Sequence, residues 1–105
     1  MLSAEKIMEK LEENKRTIKS FGVKRIGLFG SFVRNEQKDT SDIDIVVEFE
    51  RGMATFKNVS KLVDFLESLF GRKVDLLTPD GIESIRIKHV KREIIKEVKY
   101  VHTWR

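Results

Sequence analysis

The chain has 105 residues, 40% of them hydrophobic and 36% charged, which suits one globular domain and excludes a disordered chain. Its 21 Lys and Arg against 17 Asp and Glu give a net charge of +4, a mild excess scattered along the sequence, so direct nucleic-acid binding is not expected. No apolar run approaches the roughly 20 residues that span a bilayer, no signal-peptide stretch opens the chain, and the absence of cysteine excludes a disulfide framework or thiolate metal site; a cytoplasmic protein with no membrane partner is expected.

In chain order, Ser3 is a candidate N-cap for a helix running to about Ser20, with Ile7, Met8, Leu11 and Ile18 at helical spacing. Gly22 is its natural stop. Val23 to Phe29 reads as a short buried strand, followed by a short helix starting at Ser31 and covering Phe32 to Asn35, then a polar loop to Ser41. Ile43 to Phe49, rich in Ile and Val, is the second strand. Thr55 to Phe70 is an amphipathic helix with Phe56, Val59, Leu62, Val63, Leu66 and Leu69 on one stripe, closed by Gly71. "RKVDLLT" is a third strand, and Pro79-Asp80-Gly81 a turn. A last helical pattern runs from Ile82 through Ile87, Val90, Ile94 and Val98, and "VKYVHTWR" either frays or adds a short strand. This alternation describes a single α/β (α+β) domain over residues 1–105, a small mixed sheet flanked by helices.

The second strand poses a problem of charge. Ile43, Ile45, Val47 and Phe49 face one side and read as core, which leaves Asp42, Asp44, Val46 and Glu48 on the other. Two carboxylates there, with Cα atoms about 6.5 Å apart, repel each other unless a cation is shared. A pair of Mg²⁺ ions, about 3.5–4 Å apart in two-metal sites, would resolve the repulsion. Asp75, flanked by apolar Val74 and Leu76, completes a three-carboxylate cluster if its strand lies beside the second. Oxygen ligands of this kind suit Mg²⁺, which also takes up substrate phosphates.

Gly30 and Ser31 supply the complement. A glycine lets a phosphate approach the backbone, and a serine at a helix start adds a donor where anions are favoured. Arg34 is one turn further on and can aim a guanidinium at the same phosphates. Gly-Ser, ten intervening residues, Asp-x-Asp, then an isolated aspartate in a third strand describe a site for phosphoryl or nucleotidyl transfer from a nucleoside triphosphate. His89 and His102 have no ligand partners at zinc spacing, and Trp104 and Tyr100 read as packing residues.

"GSFVRNEQKDTSDIDIVVEF" resembles the signature of the DNA polymerase β-like nucleotidyltransferases. The short chain and "RKVDLLTP" resemble the family's minimal members, the MNT antitoxins paired with HEPN-domain toxins. The resemblance implies that Gly30, Ser31, Arg34 and Ser41 bind the nucleotide and that Asp42, Asp44 and Asp75 are catalytic and hold two Mg²⁺ ions. Asp75 would also ease activation of the attacking hydroxyl, as base or through its metal. Many relatives read Ala-Arg-Gly where this chain has Val33-Arg34-Asn35; Asn is the next best residue for the unusual backbone conformation such a glycine adopts. The implied reaction transfers AMP from ATP to a tyrosine of a HEPN ribonuclease toxin. The alternative is an antitoxin that neutralises its toxin by binding, with little or no catalysis. A homo-oligomer is a further expectation, since the apolar face of the last helix and Trp104 offer contact surfaces.

Overall fold

The structure is a computed structural model that describes residues 2–78, 92 and 95–101. The Pro79-Asp80-Gly81 turn, most of the last helical pattern, His89, His102 and Trp104 lie outside the described residues.

The expected first helix is two. Helix α1 spans Ala4–Glu13 and α2 spans Lys15–Lys19. Ser3 caps α1 by accepting from the Lys6 amide, and the division falls at Asn14. Its side-chain amide donates to the Lys10 carbonyl at 2.8 Å, the local competition with helix bonding that makes asparagine a poor interior residue. Ile7, Leu11 and Ile18 nevertheless share one face and are fully buried.

Strand β1 (Val23–Phe29) runs into a single 3₁₀ turn, Gly30–Phe32. The expected helix to Asn35 does not extend that far. The Gly30 carbonyl accepts from both Val33 and Arg34 amides, and Asn35 then takes a φ of +58°, the left-handed conformation asparagine tolerates best after glycine. Strand β2 (Ile43–Phe49) pairs antiparallel with β1, and helix α3 (Phe56–Phe70) crosses over to β3 (Val74–Leu77), which is parallel to β2. Thr55 caps α3 and Gly71 ends it at φ +65°. The undecided C-terminal segment forms a two-residue strand, β4 (Lys99–Tyr100), on the free edge of β1. The sheet order is β3-β2-β1-β4.

One face of the sheet builds the core. Ile26, Leu28, Ile43, Ile45 and Val47 meet Leu62 and Leu66 of α3 and the buried side chains of α1 and α2. The α3 stripe is displaced from the expected one: Phe65 and Phe70 pack on the core, whereas Phe56 is 89% exposed at the helix start. Val46, read from alternation as part of the less buried face, is also fully buried. It is paired across the sheet with Gly27, and Tyr100 lies against that glycine, so this face is apolar in its middle row.

Candidate active site

The strand pairing decides which acids meet. Asp44 on β2 is the register partner of Asp75 on β3, so both carboxylates project from one face at the same end of two strands about 4.8 Å apart. Asp42 immediately precedes β2 and is exposed, as is Asp75, while Asp44 is half-buried. Burial, then repulsion from Asp75 and from Asp42, pushes the Asp44 carboxyl above the usual carboxylate range; Arg34 acts in the opposite direction. Asp44 therefore senses both of the other acids. The three are not gathered into a finished coordination site: among the described residues no group of three or more Asp, Glu, His or Cys side chains is arranged to hold a metal ion. Uncompensated like charge favours that spacing, and the raised Asp44 pKa marks a position that a divalent cation would relieve. Hard oxygen donors on two adjacent strands fit Mg²⁺.

Gly30 lies against a carboxylate. It sits at φ +81°, and a Cβ placed there would overlap Oδ2 of Asp44 and stand 3.0 Å from its Cγ. The missing side chain is what lets the Asp44 carboxylate lie against the turn. Ser31 follows in the 3₁₀ turn, its carbonyl accepting from the Glu36 amide at 2.9 Å. Arg34 is exposed and engaged by acids, its Nε donating to Glu36 and its Nη1 to both carboxylate oxygens of Glu97 at 2.9 and 3.0 Å. Hydrogen bonds to Glu36 and Glu97 hold its pKa above the ordinary arginine value. Ser41 shapes the backbone here. Its hydroxyl accepts from the Lys38 amide at 2.7 Å and its own amide donates to the Lys38 carbonyl, closing a turn just before Asp42.

Two participants were not legible in the sequence. Glu97 is 63 positions from the arginine it holds, and no local pattern connects them. Arg72 donates from Nη1 to the carbonyls of Lys38 and Ser41 at 3.1 Å each. Only knowledge that β3 lies beside β2 would have pointed to it.

Residues 5–101 match the nucleotidyltransferase domain family. The chain belongs to it. This nucleotidyltransferase is 41% identical over 96 residues to the protein adenylyltransferase MntA of Thermococcus cleftensis, covering 90% of this chain and 96% of that one. Among solved structures it is similar to a minimal nucleotidyltransferase, with a TM-score of 0.63 at 27% identity over 88% of this chain and 93% of the other. It is also similar to a toxin–antitoxin crystal structure with AMP-PNP, with a TM-score of 0.61 at 25% identity over 95% of this chain and 73% of that one. The family and the small α+β fold implied by the Gly-Ser and Asp-x-Asp residues are thus both found. Among the described residues, no helix of the nucleotidyltransferase is long and apolar enough to cross a membrane.

Proposed function

We propose that this nucleotidyltransferase is the antitoxin of a toxin–antitoxin pair and acts by transferring AMP from ATP to a tyrosine hydroxyl of a HEPN ribonuclease toxin. The observation that carries the reading is the Asp44–Asp75 pair beside Gly30, supported by likeness to a protein named an adenylyltransferase and to a toxin–antitoxin structure with an ATP analogue. In this reading Gly30, Ser31, Arg34 and Ser41 face the triphosphate, and Asp42, Asp44 and Asp75 hold Mg²⁺. The bound ions would neutralise charge on the attacking and leaving oxygens. The tyrosine oxygen bonds to the α-phosphorus, the bond from that phosphorus to pyrophosphate breaks, and Asp75, exposed beside Asp44, is assigned the hydroxyl's proton. Arg34 Nη1 is engaged by Glu97, so serving a phosphate through that nitrogen would exchange one anion for another.

Incubation with ATP, Mg²⁺ and the cognate toxin should yield a toxin heavier by one or more AMP units, and Asp42→Asn should abolish the shift. An unchanged toxin mass with the wild-type protein refutes the activity. A second reading, neutralisation by contact alone, draws on the exposed apolar side chains Phe56, Met53 and Ile95, at 89%, 38% and 51% exposure. An Asp44→Asn protein that still binds and silences the toxin would favour it.

A further inference from the structure

We infer that Arg72 is a positioning residue for Asp42, fixing the backbone from which that carboxylate projects. Asp42 is joined to its neighbours by two peptide units, and both are held by consecutive residues of the segment entering β3. The Ser41 carbonyl, in the unit before Asp42, accepts from Arg72 Nη1 at 3.1 Å. The Ile43 amide, in the unit after it, donates to the Lys73 carbonyl at 2.9 Å. With both peptide planes held, the φ and ψ of Asp42 are set, and so is the direction of its Cβ.

The clamp is itself anchored. Arg72 also bonds the Lys38 carbonyl, at the other end of the turn that the Ser41 hydroxyl closes. Its guanidinium carbon lies 5.5 Å from the ring centroid of Phe32, a buried residue of the 3₁₀ turn that carries Gly30 and Ser31; a cation over a ring face at this distance is attracted by it. On the β3 side, the Glu67 carboxylate of α3 accepts from the Val74 amide at 2.9 Å. One side chain therefore ties the glycine turn, the loop before Asp42 and the strand bearing Asp75 into a single frame. An arginine does this better than a lysine because its planar, multi-donor head can serve two carbonyls while stacking on a ring. Asp42 itself stays exposed, as a residue that meets a cation should be.

This inference rests on the assignment of Asp42 as a cation ligand, so its test reads cation binding and backbone order separately. The probe is Mn²⁺ alone, titrated into the metal-free full chain and followed by electron paramagnetic resonance, alongside amide hydrogen exchange. Loss of groups that orient metal ligands typically costs about 10–100-fold in affinity. Arg72→Met should weaken Mn²⁺ binding by about tenfold, the low end of that range, because Arg72 acts through the backbone. The Ser41 amide should exchange faster, while those of Leu28 and Ile45 in the core strands keep their protection. Arg72→Lys, which retains a cation over Phe32, is expected between wild type and Arg72→Met. Lys61→Met, on the exposed side of α3, should match wild type in both readouts.

Wild type that takes up no Mn²⁺ overturns the metal assignment of the proposed function, and this inference with it. Arg72→Met that binds Mn²⁺ as wild type does overturns the role of Arg72 alone, as does a loss of protection shared equally by Leu28 and Ile45, which would make the arginine merely structural. If Arg72→Met fails to fold, Arg72→Lys decides: affinity equal to wild type counts against the inference, and a weakened affinity with an intact core supports it.

Discussion

Gly30→Ala separates backbone strain from damage to the acidic pair. The position has φ +81°, where a residue with a Cβ costs about 1–2 kcal/mol. For a domain of this size that corresponds to a fall in Tm of about 4–16 °C. The new methyl would also overlap Asp44 Oδ2 and stand 3.0 Å from Cγ, so the carboxylate must retreat by about 1 Å to regain ordinary contact. A displacement of that size at a reacting centre costs on the order of 100-fold in rate. Gly52 provides the control: its φ is +79° and nothing lies within 4 Å of its Cβ position. Gly52→Ala should therefore show a similar fall in Tm with unchanged transfer per folded molecule. The assay is AMP incorporation into the toxin, normalised to the folded fraction at a temperature well below both transitions. If Gly30→Ala transfers AMP within about threefold of Gly52→Ala, the close approach of Asp44 to the turn has no part in positioning the carboxylate.

Titration of Asp44 should be visible in stability. Because its folded pKa is raised by burial and by Asp75 and Asp42, its contribution is fully present below the ordinary Asp value of about 3.9 and is lost as pH rises through the raised value. Metal-free wild type should show this downward step in its Tm profile and Asp44→Asn should lack it; parallel profiles would contradict the assignment. Glu97→Gln should loosen Arg34, which keeps its bond to Glu36, and lower the KM for ATP by up to about fivefold, the worth of a partly exposed ion pair; an unchanged or higher KM would refute an exchange of Glu97 for the nucleotide at Arg34. Phe56→Ser should alter stability by no more than about 0.5 kcal/mol, whereas Leu62→Ala should cost about 2–5 kcal/mol, both read from denaturant unfolding.

What can be read from the chain is what repeats locally. The Ile and Val content of residues 43–49 and the helical spacing in α1 and α3 locate those elements, and Gly22, Gly71 and Ser3 mark ends that the structure shares. The carboxylate alternation correctly puts Asp44 opposite the core. The break at Asn14 escapes the helical pattern because it depends on one side-chain bond to Lys10. Phe56 falls on the apolar stripe yet outside the core, since helical periodicity gives a face but not where along it the core stops. Gly30 reads as space for a phosphate, while its nearest neighbour is a carboxylate 14 positions later, brought there by the β1–β2 pairing. Arg72 and Glu97 act through contacts 31 and 63 positions away, and no window of sequence contains both ends of such a bond.

The mixed sheet has a consequence for how the site comes into being. Strands β1 and β2 pair antiparallel across residues 30–42, a shorter connection than the one that carries α3, so Gly30 and Asp44 can find each other early from a continuous piece of chain. Asp75 arrives on a parallel strand only after the whole of α3 has been laid down, a slower, non-local closure. A polypeptide cut short before residue 74 could thus keep the glycine–aspartate contact and still be inert, because Asp75 is delivered by the crossover through α3.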